Sequence, residues 1–202
     1  MLGSRMPTVF GRHGASGKGN LKMQIAAIYL YNHFGEIRPL EFKLGDVNII
    51  TGAQGTGKST LIPIIEYCMG RSGPSIKLDD ELQSVIAWFA VLFQFQDDQL
   101  FIAKPPLMNQ KSRAEAFLKI GTRISPPPIE DISINSNDEA IRAEISRRLG
   151  IFHKFIADED RTTKDYELDV DQARFFIFQD SNIITSDKLV FYRQDEPYIY
   201  QT

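Results

Sequence analysis

Residues 47–60 read VNIITGAQGTGKST, and this stretch restricts the possible fold more than any other in the chain. Gly52-x-x-x-x-Gly57-Lys58-Ser59 is a phosphate-loop pattern. Its glycines let successive backbone N–H groups turn into one concavity that can hold phosphate oxygens. In this pattern Lys58 reaches the β- and γ-phosphates and the Ser59 hydroxyl ligates Mg²⁺. Ala53, Gln54, Gly55, Thr56 and Thr60 complete the expected nucleotide-binding segment. Val47-Asn48-Ile49-Ile50 is short and mostly apolar, which suits a buried parallel strand. After the loop, Leu61, Ile64, Ile65 and Cys68 recur at helical spacing. Ser59 and Thr60 then fall in the first turn of a helix, whose N-terminus favours an anion, and Pro63 is early enough to be tolerated. The order strand, glycine loop, helix is the context the motif requires.

A second glycine-rich run, GASGKG, lies near the start. There Arg12 stands where the first glycine belongs, and Gly19 follows the lysine in place of Ser or Thr. It is a decoy. Residues 1–22 hold five glycines, four Lys or Arg and no acid, and read as a disordered leader or an appended remnant, with Met23 a natural start. Without those four positive charges, the chain's net charge of -3 becomes about -7 for the remainder. So acidic a domain is not a broad nucleic-acid binder by charge, and any DNA contact needs a local patch or a partner's surface. The one cysteine, Cys68, excludes a disulfide framework and points to a reducing, cytoplasmic compartment. No apolar stretch approaches the roughly 20 residues that cross a bilayer.

Elsewhere, Met23–Tyr29 and Leu40–Leu44 read as strands around a turn containing Asn32, His33 and Gly35. Val85–Phe95 and Gln99–Ala103 flank Gln96-Asp97-Asp98 as a β-hairpin. Because Gln94 and Gln96 alternate with Phe93 and Phe95, Asp97 and Asp98 read as turn residues instead of metal ligands. Pro105-Pro106 and Pro126-Pro127-Pro128 bracket a basic stretch with Lys111, Arg113, Lys119 and Arg123, read as a solvated excursion. A helix begins after Asn137 as N-cap, carries Ile141, Ile145 and Leu149 as its stripe, and stops at Gly150. Arg147 and Arg148 suit its last turn. Residues 158–171 are acidic and read as a mobile surface connection. Residues 174–180, RFFIFQD, read as a buried strand delivering Gln179 and Asp180. Either Asp180 orders Mg²⁺ through water in a complete small NTPase, or Gln179 reaches the metal and the attacking water. Spacing leaves both open.

The stretch MQIAAIYLYNHFGEIRPLEFKLGDVNIITGAQGTGKSTLIPIIEYCMG, residues 23–70, resembles the opening of ABC-type ATPase heads of the structural-maintenance-of-chromosomes (SMC) and RecF/RecN group. The hairpin at 85–103 is similar to their antiparallel subdomain. FFIFQDSN followed by KLVFYRQDEP resembles the Q-loop region of a bacterial branch of such ATPases, some of them defence-associated. The resemblance implies an α/β P-loop NTPase fold over 23–202: an ABC-ATPase-like N-terminal lobe with a mixed sheet, an antiparallel β subdomain and an incomplete core. It implies ATP and Mg²⁺ as ligands of Gly52–Thr60, Gln179 as the Q-loop residue touching the metal, and Arg71 or Lys77 as a basic group near the phosphates. ATP in place of GTP follows from the resemblance alone.

The departures are as informative. Such heads also carry an LSGG-type signature, a Walker B Asp-Glu pair and a switch histidine beyond the Q-loop. None follows Gln179 here, and His153 precedes it. The chain therefore reads as the N-terminal half of a head. It would need a C-terminal half or partner subunit, and head–head dimerisation, to act on DNA or within a complex. Absence of the Walker B strand would leave an apolar edge beside the phosphate loop, and no general base is evident. Binding without appreciable turnover is the expectation. Two alternatives are a self-contained P-loop kinase or NTPase using Asp180, and a non-catalytic, nucleotide-dependent interaction module.

Overall fold

The computed structural model describes residues 8–12, 23–71, 84–107, 112–151, 155–156, 166–167, 170–171 and 177–178. Two compact units divide the chain, Met1–Ile141 and Arg142–Thr202. The described elements are mixed α/β: a six-stranded antiparallel sheet, two short strand pairs and two helices.

In the first unit, β2 (Met23–Asn32) pairs with both β3 (Ile37–Glu41) and β5 (Ile86–Phe95). The sheet continues through β6 (Gln99–Lys104), β7 (Glu115–Gly121) and β8 (Ser136–Asn137), giving the order β3-β2-β5-β6-β7-β8. Every pairing among the described residues is antiparallel, so the mixed sheet expected from the resemblance is not what forms. The hairpin of β5 and β6 matches its sequence signal closely, and Phe95 N–H closes it on the Asp98 carbonyl at 2.8 Å. The first hairpin turns at Asn32–Glu36 as expected, with β2 running on to Asn32 and β3 starting at Ile37, so that the turn is tighter. Asn32 Oδ1 accepts from the N–H of Phe34 and Glu36, both at 2.9 Å, which fixes the bend at 32–36.

Register places Ala27, Tyr29, Tyr31, Ala90, Leu92, Phe101, Ala103 and Phe117 in one core cluster. Ile124 and Ile132, from the connection after β7, complete it, and Tyr31 donates its hydroxyl to the Pro127 carbonyl at 3.0 Å. The alternate residues Phe89, Val91, Phe93, Leu100 and Ile102 are buried on the opposite face. There α1 (Leu61–Cys68) packs, with Tyr67 edge-on to Phe89 at 6.4 Å. The basic stretch between the proline clusters contains β7, a correction to the solvated excursion. Ala116 and Phe117 are buried in it, while Arg113 pairs with Glu115 at 2.7 Å.

Two further expectations change. β4 (Val47–Thr51) is neither parallel nor buried. It pairs antiparallel with β1 (Thr8–Arg12), and Val47 and Ile49 are 65% and 42% exposed. Alternation decides this: Asn48 and Ile50 turn inward while Val47, Ile49 and Thr51 face out. β1 also puts a strand inside the segment read as a leader.

α2 (Asp138–Leu149) begins as the sequence signals. Asn137 Oδ1 accepts from Ala140 N–H at 2.9 Å, Ile141 and Ile145 are buried, and Gly150 follows at φ 71°. In the second unit Glu144 pairs with Arg147 at 2.8 Å and with Arg148, a role beyond the helix dipole. β9 (Phe155–Ile156) and β10 (Tyr166–Glu167) pair there, and Val170 N–H donates to Ser146 Oγ at 3.0 Å. The strand expected before Gln179 is not seen at Ile177, which is helical and half exposed. No helix among the described residues is long and apolar enough to cross a membrane.

Candidate functional site

The loop 52–57 leaves β4 and enters a single 3-10 turn, Lys58–Thr60, that runs directly into α1. Within it, positive φ is confined to Gly55 and Gly57, both at 79°. A Cβ built at either would meet nothing within 4 Å, so the space beside these two residues is open. Any L-residue there would be strained by its backbone alone.

The loop is braced by its own atoms. Lys58 Nζ donates to the carbonyls of Gly52 at 2.8 Å and Ala53 at 2.6 Å, and to Thr56 Oγ1 at 3.3 Å. Thr56 donates its hydroxyl to the Ala53 carbonyl at 2.9 Å. Thr56 thus shapes the loop, a role that its variable place in the motif did not signal. Thr60 N–H bonds the Gly57 carbonyl at 3.1 Å. Neither the 3-10 turn nor α1 has a side-chain cap, which leaves backbone donors at this helix start without a protein cap. Ser59 lies in the first turn, as expected, and is exposed.

These donors fit a polyphosphate: glycine-lined open space, a braced ammonium and an uncapped helix start. For Mg²⁺ the fit is narrower. Among the described residues no group of three or more His, Cys, Asp or Glu could hold a metal, so the loop offers the Ser59 hydroxyl. Mg²⁺ is usually held by one or two carboxylates, water and substrate phosphates, and the segment 52–60 contains no carboxylate.

The other candidates divide clearly. Gln179, Asp180, Lys77 and His153 lie outside the described residues. Asp97 and Asp98 sit at the tip of the β5–β6 turn, as read. Arg71 does not reach toward the phosphate loop. It follows the opposite end of α1, roughly 10 Å of helix away, and pairs with the buried Glu66 at 2.9 Å.

Around that opposite end is a buried polar cluster that sequence reasoning missed. Lys104, fully buried, donates to Asp138 and to the Arg71 carbonyl at 3.3 Å, with its ammonium 4.0 Å from the Tyr67 ring centroid. Tyr67 donates its hydroxyl to the Pro105 carbonyl at 2.9 Å. Burial pushes the Tyr67 phenol above its ordinary range and the Cys68 thiol up to about 12. A lysine closing the apolar run LFIA and followed by two prolines was the available signal.

Comparison with protein-family models, curated proteins and solved structures found no match.

Proposed function

We propose that this chain binds a magnesium nucleoside triphosphate, ATP, through Gly52–Thr60, as the N-terminal half of an SMC/RecF-like P-loop ATPase head. One observation carries the reading. Gly55 and Gly57 hold a left-handed backbone beside open space, and Lys58 is braced across the same loop. In this role the backbone N–H groups of 55–59 bind the phosphate tail, the Lys58 ammonium exchanges its bonds to Gly52, Ala53 and Thr56 for phosphate oxygens, and Ser59 contributes an oxygen to Mg²⁺. The ion would neutralise charge on the β- and γ-phosphates.

The exposed apolar residues of β4, Val47 and Ile49, support a missing partner layer. A C-terminal half bearing the Walker B and signature segments would cover them, and two such heads would close on nucleotide to act on DNA or partner subunits. Titration calorimetry tests the binding. Lys58→Ala should weaken Mg-ATP affinity about ten- to hundredfold, as expected for a charge-assisted hydrogen bond worth about 1.5–3 kcal/mol. Unchanged affinity removes the reading. Turnover by the chain alone should fall far below about 1 s⁻¹, the low end for ordinary enzymes. Ordinary turnover would instead require a complete site in this polypeptide.

A further inference from the structure

Burial changes abruptly along the phosphate-loop helix. Residues 52–63 are exposed or half-buried, whereas 64–70 are all buried. With no side-chain cap at Gly57 or Thr60, the bonds that brace the loop at this end of the helix are those within the loop itself. Its direction is set from the other end. There Tyr67 Oη bonds the Pro105 carbonyl at 2.9 Å, and Cys68 Sγ bonds the Phe89 carbonyl at 3.7 Å. A further restraint is Lys104, which holds the Tyr67 ring and the Arg71 carbonyl while paired to Asp138.

A buried ammonium is costly unless its partners are well placed, so these contacts tolerate little displacement. An eight-residue helix is about 12 Å long and stiff. Tilting its buried end therefore swings the Gly57–Ser59 backbone at the other end. We propose that Lys104 is a positioning residue for the phosphate loop, acting through Tyr67 and the Arg71 carbonyl to aim the loop's donors at the ligand. This rests on the nucleotide-binding reading above. It differs from a purely stabilising role, in which Lys104 would matter only as half of a buried ion pair.

The two roles separate in a double substitution. Lys104→Met alone takes the ammonium away from the buried Asp138 carboxylate, and should destabilise the chain. Lys104→Met with Asp138→Leu removes both charges, and replacing a buried ion pair by apolar residues is often neutral. Urea unfolding of the double variant should then return near the parent value. Calorimetry with Mg-ATP should still show affinity reduced about fivefold or more, the scale of remote positioning effects. Parent-like affinity in a stable double variant overturns the proposal.

Lys104→Gln decides the matter if the double variant does not fold, because it keeps a hydrogen-bond donor but removes the charge held over the Tyr67 ring. Affinity lowered about threefold supports a positioning role for this end of α1, and unchanged affinity overturns it. If the parent chain itself fails to bind Mg-ATP, the nucleotide reading fails and this inference falls with it. Parent binding with insensitive variants removes the positioning role alone.

Discussion

β4 and β6 are written in similar residues and end in opposite surroundings. VNIIT exposes Val47 and Ile49, whereas QLFIAK is buried from Leu100 through Lys104, including the lysine. The difference lies in their neighbours. β6 sits between β5 and β7 with both faces covered, while β4, among the described residues, pairs with β1 only. Apolar content states that a strand needs cover. Which element supplies it is a property of the assembled sheet, and for β4 the cover is proposed to come from a partner.

The largest test of that contrast is Phe101→Ala in β6, where Phe101 packs against Tyr29 and Phe117 at 5.9 and 6.2 Å. Truncating so buried an aromatic should cost about 3–5 kcal/mol in urea unfolding. Ile49→Ala in β4 should cost less than about 1 kcal/mol, because a half-exposed side chain loses little burial. Equal costs would mean that β4 is already covered.

Gly57→Ala comes next. Forcing a Cβ onto φ 79° should cost about 1–2 kcal/mol and lower Mg-ATP affinity as well. Stability lost without any change in affinity would separate the loop's shape from binding. A pH series supplies a smaller effect. The Cys68 thiol, raised from 9.0 to about 12 chiefly by burial, stays protonated in the fold after the unfolded chain ionises. Its contribution to stability is complete below pH 9 and is lost as pH rises toward 12. Chemical denaturation across that window should show a decline that Cys68→Ala makes shallower, most clearly between pH 9 and 10, below the range where the buried Tyr29, Tyr31 and Tyr67 contribute in the same direction. The smallest effect should be Val47→Thr, within about 0.5 kcal/mol for the chain alone, but weakening capture of a complementing half in a pull-down.

Much of this was legible in the residues. The β5–β6 hairpin announced itself through alternation around a polar turn, and α2 through Asn137 and Gly150, because both signals are local. The loop's left-handed glycines followed the motif's spacing, whereas the bonds of Lys58 to its own loop did not. β7 was hidden because prolines on either side resembled linker punctuation, although Ala116, Phe117 and Leu118 form an apolar run. The exposure of β4 was hidden because pairing is nonlocal. Lys104 was missed for the same reason: its partners come from α1 and from the start of α2, 34 residues away in the case of Asp138. At the phosphate loop, bracing by Thr56 needed coordinates, since the motif leaves that position free.

The connection between β7 and β8 has consequences of its own. It carries almost no regular structure, yet Ile124, Ile132 and the Pro127 carbonyl close one whole side of the sheet. Three consecutive prolines stiffen this strap before it docks, so little disorder is surrendered when it does. A flexible tag spliced in at 125–126 would behave unlike an ordinary loop insertion. It would peel a hydrophobic cover from Tyr29, Phe101 and Phe117, and the protein would respond as though its core had been cut.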